Sequence, residues 1–423
     1  MQNAMGQTNG REFRRGWPII LAAALGVGAG TTGLPFYTFG IFIAPLSAEF
    51  GWSRGEIALG SLFLTTGTFV LAPFVGQAAD RFGARSIGIM SLGLLAAALV
   101  ALPLVVTSRL TWYGAWLFVA IMGSGTAAMV WTKVVALWFT RMRGLALGLT
   151  LIGTGLAGAI GPIFVNGLIA QYGWRAGFFG MAAVVGLGVL PLVALLFRPP
   201  PQLSATTAES TKDQPVRGLL LNQAWGQVAF WRIGIGFFAV SLGIAATIVH
   251  LVPLLIDRGL SPATAAAIAG GLGLSVIAGR LSCGFLVDRI DPPRVAGVLL
   301  TLPAIGSLLL AYGSEDLYVA IPAALMIGLA AGAEVDLVAF LTGRHFGLKA
   351  FGAILGCELA MFGAGAALGP PIMGLLRDLT GNYQAGLTLY AGTYILGAAL
   401  IAGLGKAPDF AMVEADPNFQ IEP

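Results

Sequence analysis

The ionisable side chains that could do chemistry in this chain stand inside long apolar runs: Arg280, Glu334, Asp336, Glu358, Lys133 and His250. At the centre of a membrane-spanning helix such a group costs ~2.5–3.5 kcal/mol on insertion scales, so each is a functional candidate. Arg280 lies eight residues before Asp288, hence about 12 Å deeper at a helical rise of about 1.5 Å per residue. Its planar fork suits bidentate binding of a carboxylate, and a permanent cation in a low-dielectric cavity attracts a small anion; an internal ion pair is the alternative use. Glu334 and Asp336 are two residues apart, about 200° round a helix, so at most one faces a central cavity and the other reaches a neighbouring helix. Burial and a nearby arginine act on a carboxyl group in opposite senses, which is how a proton carrier for physiological pH is made; a structural brace is the competing reading. Glu358, beside Cys357, is a third carboxyl candidate for a proton. Lys133 lies eight residues before Arg141, where its stem can snorkel to the surface or its amine can reach a cavity. His250 can donate to a carboxylate or handle a proton, or it is a satisfied packing residue. Phe36 and Tyr37 follow Gly33, Leu34 and Pro35, a kink signal, and either line a substrate cavity or fill the core.

The elements that must position these groups are membrane helices. The sequence is 57% hydrophobic and 10% charged, which inverts the balance of a soluble chain. Disordered proteins, disulfide scaffolds and nucleic-acid readers are excluded, the last because their basic surfaces need far more exposed charge. Twelve apolar runs are each near the ~20 residues that cross a bilayer as helix: 17–46, 57–79, 86–106, 112–139, 145–170, 176–197, 233–255, 263–287, 295–312, 317–341, 351–376 and 383–405. Arg11, Arg14 and Arg15 before the first run look like a signal-peptide n-region, but the run is too long, so it reads as an uncleaved helix. Most of the 23 Lys and Arg residues fall on the loops of one side. The other side holds Arg54, Arg109, Arg175, Arg258 and Arg377, so both termini are expected in the cytoplasm. The segment after Arg198 opens with Pro199, Pro200 and Pro201 and turns polar, which marks a linker. The expected organisation is a cytoplasmic tail 1–16, a six-helix bundle 17–197, a cytoplasmic linker 198–232, a second bundle 233–405 and a cytoplasmic tail 406–423.

An internal repeat supports the division. At an offset of 208 residues Pro45, Gly51 and Ser53 meet Pro253, Gly259 and Ser261, and Gly76, Asp80 and Arg81 meet Gly284, Asp288 and Arg289. Gly144, Gly148, Gly161, Pro162 and Gly173 meet Gly352, Gly356, Gly369, Pro370 and Gly381. Two parallel halves with a site at their interface suit alternating access. The membrane charges are not part of the shared pattern: Arg280, Glu334, Asp336 and Glu358 stand where the first half has Ala72, Thr126, Ala128 and Thr150.

Gly76, Asp80, Arg81, Gly83 and Arg85, between spans 2 and 3, resemble the loop motif of the major facilitator superfamily, with a second copy at Gly284, Asp288 and Arg289. The glycines allow close helix contact and the Asp with a nearby Arg makes a latch, which assigns these residues to gating. The resemblance implies an all-α integral membrane fold of two six-helix bundles related by a pseudo-twofold along the membrane normal. Phe50, Gly51, Trp52, Ser53 and Arg54, the Trp138 to Gly148 junction, His250 with Pro253, Asp257 and Arg258, and Gly332 with Glu334 and Asp336 are similar to the branch of bacterial monocarboxylate and oxalate/formate transporters. In that branch an arginine on helix 8 is associated with the substrate carboxylate, and Arg280 occupies its place. Helix 1 has no lysine, and Val276 stands one turn before Arg280, so the lysine and acid that accompany the arginine in animal members have no counterpart.

The reading that follows is a secondary transporter of small organic anions, proton-coupled and specific for monocarboxylates, in a bacterial plasma membrane, working as a monomer with protons and lipid as its other partners. Exchange of the oxalate/formate kind and drug efflux are the alternatives within the class; a membrane-embedded enzyme is the alternative outside it. Against an enzyme, no nucleophile elbow, histidine cluster or nucleotide loop is present. No metal or cofactor is expected, because Cys283 and Cys357 lie in apolar runs without ligand spacing.

Overall fold

The computed structural model describes residues 2–139, 142–198, 218–287, 289–314 and 316–408, with side chains from 13 onward. Arg141, Asp288, most of the expected linker and residues 409–423 of the expected C-terminal tail lie outside the described residues. The spans are α1 (Gln2–Ala29, continuing after a break as Leu34–Phe50), α2 (Arg54–Phe82), α3 (Ala84–Val105), α4 (Arg109–Trp138), α5 (Arg143–Tyr172) and α6 (Trp174–Leu196). The second half holds α7 (Val228–Asp257), α8 (Pro262–Val287), α9 (Pro292–Tyr312), α10 (Leu317–Phe346), α11 (Phe351–Thr380) and α12 (Gln384–Ala402). Counting the bent α1 as one span gives twelve, so both ends of the described chain lie on one face, here the terminal face, opposite the far face.

Local chemistry sets the helix ends. Ser53 accepts from the Glu56 amide while Glu56 reaches back to Ser53, a capping box that starts α2. Gly51 at φ 67° and Gly259 at φ 84° end α1 and α7, and Gly173 and Gly381, both at φ 81°, end α5 and α11. These are left-handed positions that only glycine takes without strain, and they fall on the 208-residue register, as do the starts of α2 and α8, α4 and α10, and α5 and α11. The repeat is therefore a repeat of helix ends.

The halves differ inside their helices. α1 breaks at residues 30–33 with a bend of 40°, where the Gly33–Pro35 signal stood, and α4 is interrupted by a 3-10 turn at Ser124–Thr126. The two breaks are joined: the Thr31 amide donates to Thr126 Oγ1 at 3.1 Å, and that hydroxyl donates to the Gly123 carbonyl at 2.6 Å. α7 and α10 run unbroken for 30 residues each. Beyond its first turns α7 is also buried all round: 94% of its apolar window lies inside the protein, against 28% for α6. It begins five residues before the expected 233 and is preceded by a short helix, Leu221–Trp225. Leu219 donates to the Phe346 carbonyl at 2.8 Å, so the end of the expected linker is built into the second half.

The halves meet along α2 with α11, α5 with α8, and α1 with α7, where a Cβ on Gly40 would lie 2.0 Å from the Val249 carbonyl. Toward the far face Gly55 and Gly374 bring α2 and α11 into backbone contact, and at mid-membrane Gly158 and Gly273 do the same for α5 and α8. Toward the terminal face the same helices part. A Cβ placed on Gly144, Gly148, Gly284, Gly352 or Gly356 would meet nothing within 4 Å, and one on Gly76 only the Met129 methyl at 3.9 Å. The protein is closed at the far face and spread at the terminal face.

Candidate substrate site

Where the halves begin to part, α10 lies against α8 because Gly328 and Gly332 have no side chain to hold them off: a Cβ on Gly332 would lie 2.0 Å from the Val276 carbonyl. One turn further along α8, Arg280 extends across the interface. Its Nε lies 3.1 Å from Asp336 Oδ2 on α10 and 3.4 Å from the Gly332 carbonyl. Its Nη1 donates to the Leu151 carbonyl of α5, in the other half, at 2.7 Å. Among the described residues Nη2 donates no hydrogen bond. The arginine side chain is 10% exposed and that of Asp336 32%, so the pair sits at the edge of open space.

Glu334 points the other way round α10, as the two-residue spacing requires. It is buried, and its Oε2 has no hydrogen-bond partner among the described residues. Arg280, Tyr37 of α1 and Tyr394 of α12 are within electrostatic reach of it. The Tyr37 ring packs against Gly158 of α5, and Phe36 meets it edge-on at 5.7 Å between ring centres. Arg280, Asp336, Glu334, Tyr37 and Phe36 thus converge near mid-membrane, with contributions from both halves. An unpaired buried carboxylate is costly unless it takes a proton or gains a cation, and Glu334 is in that position.

Other candidates are elsewhere. Glu358 is buried between α11 and α10, where Thr342 is hydrogen-bonded to its Oε2 and Oε1 has no partner among the described residues; it has no contact with Arg280. Lys133 does not reach the site, because its amine is ion-paired with Asp80 of α2 near the terminal face. His250 is fully buried toward the far face, with Nε2 2.9 Å from the Pro370 carbonyl and Nδ1 3.1 Å from the Tyr383 hydroxyl. Both ring nitrogens are occupied by protein, which corrects its expected place beside the substrate.

The gating motif is also built differently from expectation. Asp80 takes Lys133 as its partner; Arg81 lies over the Phe82 ring at 5.2 Å and Arg85 donates to the Ala194 carbonyl of α6 at 2.8 Å. Gly83, at φ 85°, needs to be glycine, but Gly76 and Gly284 make no close helix contact because the halves are apart at this end. Arg289 lies over Phe285 at 3.6 Å. Sequence reasoning missed Leu151, whose contribution is a carbonyl oxygen, and the far-face residues Asp378 and Tyr383; Arg54 and Asp257 stood in the motifs of the resemblance but were given no role, since charge is ordinary at span ends.

A site of this kind, at the interface of two repeated six-helix halves, can be compared with known proteins. The family profile described as Major Facilitator Superfamily matches residues 25–356. The chain belongs to that superfamily. Among its relatives, Monocarboxylate transporter 11 of Homo sapiens is 26% identical over 400 residues, covering 93% of this chain and 83% of that protein. Monocarboxylate transporter 13 of Bos taurus is 27% identical, covering 92% of this chain and 88% of that protein. The solved structure of a D-xylose-proton symporter superposes with a TM-score of 0.72 at 16% identity, covering 93% of this chain and 98% of the other. A bacterial homolog of the human lysosomal transporter Spinster gives 0.68 at 18% identity, with 90% and 95% covered; at such identities the structures speak for the fold alone. This superfamily member is an integral membrane transporter of small molecules rather than an enzyme, with a monocarboxylate-transporter-like relationship.

Proposed function

We propose that this transporter carries small organic monocarboxylates together with a proton, by alternating access, as a monomer. One observation carries the reading: a permanently charged guanidinium, Arg280, reaches from one half to the other near mid-membrane, holding a carboxylate of the protein, Asp336, while its Nη2 donates no hydrogen bond among the described residues. Asp336 occupies one edge of the fork. A substrate carboxylate entering from the open side can take Nη2 and displace either Asp336 or the Leu151 carbonyl, and in the second case binding alters a contact that joins the halves. Glu334 is the group best placed to hold the transported proton, being buried within electrostatic reach of Arg280 with an Oε2 that has no hydrogen-bond partner among the described residues. Phe36 and Tyr37 supply an apolar wall for the short carbon chain. The names of the relatives are consistent with a carboxylate substrate. The excess of Lys and Arg on the terminal-face loops supports a cytoplasmic terminal face, and the sequence resemblance supports a bacterial plasma membrane.

The test is uptake of a panel of labelled mono- and dicarboxylates into proteoliposomes, with and without an imposed pH gradient. Accumulation of monocarboxylates that follows the gradient is expected. Counterflow without gradient-driven accumulation would replace symport by anion exchange, and transport of cationic drugs but no carboxylate would remove the reading.

A further inference from the structure

The far face carries a cluster that the transport chemistry does not use. Helix α2 begins there with its first amides exposed, and the partner of those amides comes from the other half: Asp378 of α11 accepts from the Arg54 amide at 3.2 Å and from the Gly55 amide at 2.8 Å. With Ser53 serving the Glu56 amide, the leading amides of α2 are satisfied, two of them only while the halves are together. The Arg54 side chain makes the same crossing. Its Nη2 is ion-paired with Asp257 at the end of α7, and its Nη1 donates to the Pro253 carbonyl at 3.1 Å and to the Tyr383 hydroxyl at 3.0 Å.

The hydrogen-bond directions fix how Tyr383 is held. The Pro370 carbonyl can only accept, so His250 carries its proton on Nε2 and presents the Nδ1 lone pair to Tyr383. The Tyr383 hydroxyl then donates to His250, and its oxygen is free to accept from Arg54. His250 is thus a positioning residue for Tyr383, buried behind it.

The repeat gives an internal control. At the mirrored junction of α8 with α5, Arg54 becomes Pro262, which has no amide hydrogen and no charge, and Asp378 becomes Ala170. Tyr383 becomes Arg175, which pairs at 2.9 Å with Glu49, the mirror of Asp257, inside the first half. None of these can cross the interface as their counterparts do. On that side the halves meet instead by backbone contact at Gly158 and Gly273.

We propose that the far face carries one polar latch, on its α2–α11 side, Asp378 and Tyr383 of the second half closing on the α2 start and Arg54 of the first, so that far-face opening begins between α2 and α11 and pivots about α5 and α8. In the open state water takes over the two α2 amides, and Asp257 keeps Arg377, which already lies 3.2 Å away in its own half. Asp378 and the Pro253 carbonyl exchange their first-half partners for water, while Asp257 and Tyr383 keep Arg377 and His250 within the second half.

The test uses the full chain in lipid nanodiscs, with Cys283 and Cys357 replaced by alanine in a background that retains transport. Spin labels at Leu110→Cys and Leu379→Cys report the latch side, and labels at Tyr172→Cys and Ala263→Cys report the α5–α8 side. Arg54→Gln and Asp378→Ala should each raise the long-distance population at the first pair about tenfold, the scale of losing one hydrogen bond to a charged group. The second pair should shift less. Tyr383→Phe, which removes one hydroxyl and leaves every charge in place, should give a smaller change of the same kind; it carries the test if the charge variants do not fold. Unchanged distances at the first pair in folded variants would overturn the latch, and equal widening at both pairs would overturn its one-sidedness.

Discussion

Thr126 and Glu334 occupy the same place in the two halves, and the difference between them is the difference between the halves. At Thr126 helix α4 is broken, and the hydroxyl is spent on backbone: it accepts from Thr31, at the break in α1, and donates to Gly123. At Glu334 helix α10 is continuous, its backbone is satisfied within the helix, and the side chain has polar capacity left over. Within a membrane every freed amide and carbonyl needs a partner. A half that bends its helices uses its polar side chains to repair the bend. A half that keeps them straight can hold Arg280, Asp336 and Glu334 ready for something else. The two bundles share helix ends and divide the labour between shape and charge.

The sharpest way to break this comparison is at Arg280. Arg280→Lys should lower equilibrium affinity for the transported carboxylate by at least about tenfold, because a point charge does not reproduce the fork. Placing an arginine at the mirrored position, Ala72→Arg with Arg280→Ala, should not restore binding; unaltered affinity in folded Arg280→Gln would end the assignment. Next in size is coupling. Glu334→Gln or Asp336→Asn should lose accumulation driven by a pH gradient while keeping substrate counterflow, and Glu358→Gln, remote from Arg280, should lose less. Normal accumulation in all three would move the proton elsewhere.

Stability measurements sharpen the other side of the comparison. Thr126→Val leaves the buried Thr31 amide without its acceptor and should cost ~1–3 kcal/mol in unfolding experiments in detergent. Thr150→Val removes only a bond to the carbonyl one turn back, Ala146 at 2.9 Å, and should cost well under half as much. The smallest effect is expected for Lys133 with Asp80. Their side chains are 42% and 71% exposed, and a double-mutant cycle should give a coupling below about 1 kcal/mol.

Much of this was legible in the sequence because it is written in composition and spacing. Twelve spans, the 208-residue register, the kink before Phe36 and the depth shared by Arg280 and the α10 acids all follow from counting residues along helices. The break at Ser124–Thr126 was not legible, since Gly, Ser and Thr are ordinary inside membrane helices and only its partner across the half, Thr31, explains it. For His250 and Lys133 the sequence left a substrate cavity open beside packing and the surface, and the neighbours in the structure are Tyr383 with Pro370 and Asp80. Depth is a one-dimensional quantity; direction depends on which helix packs where, and Tyr383 and Asp80, their actual partners, lie 133 and 53 residues away. The latch was invisible for a further reason, because half of it consists of backbone amides.

Helix α7, with 94% of its apolar window inside the protein, has a consequence for how this chain can change over generations. Most membrane helices carry a stripe against lipid where one large apolar residue replaces another at little cost, so tolerance rises and falls every three to four residues. Beyond its first turns, where Val228, Trp231 and Ile235 are exposed, α7 has no such stripe. In a randomised library selected for transport its positions 239–255 should keep little diversity on every side, with no helical rhythm, whereas α6 should show one clearly. Drift there has to proceed by matched exchanges, since Gly243 lies under the Tyr394 ring and Gly236 against Gly397 and Ile401 of α12, and neither partner can grow unless the other shrinks.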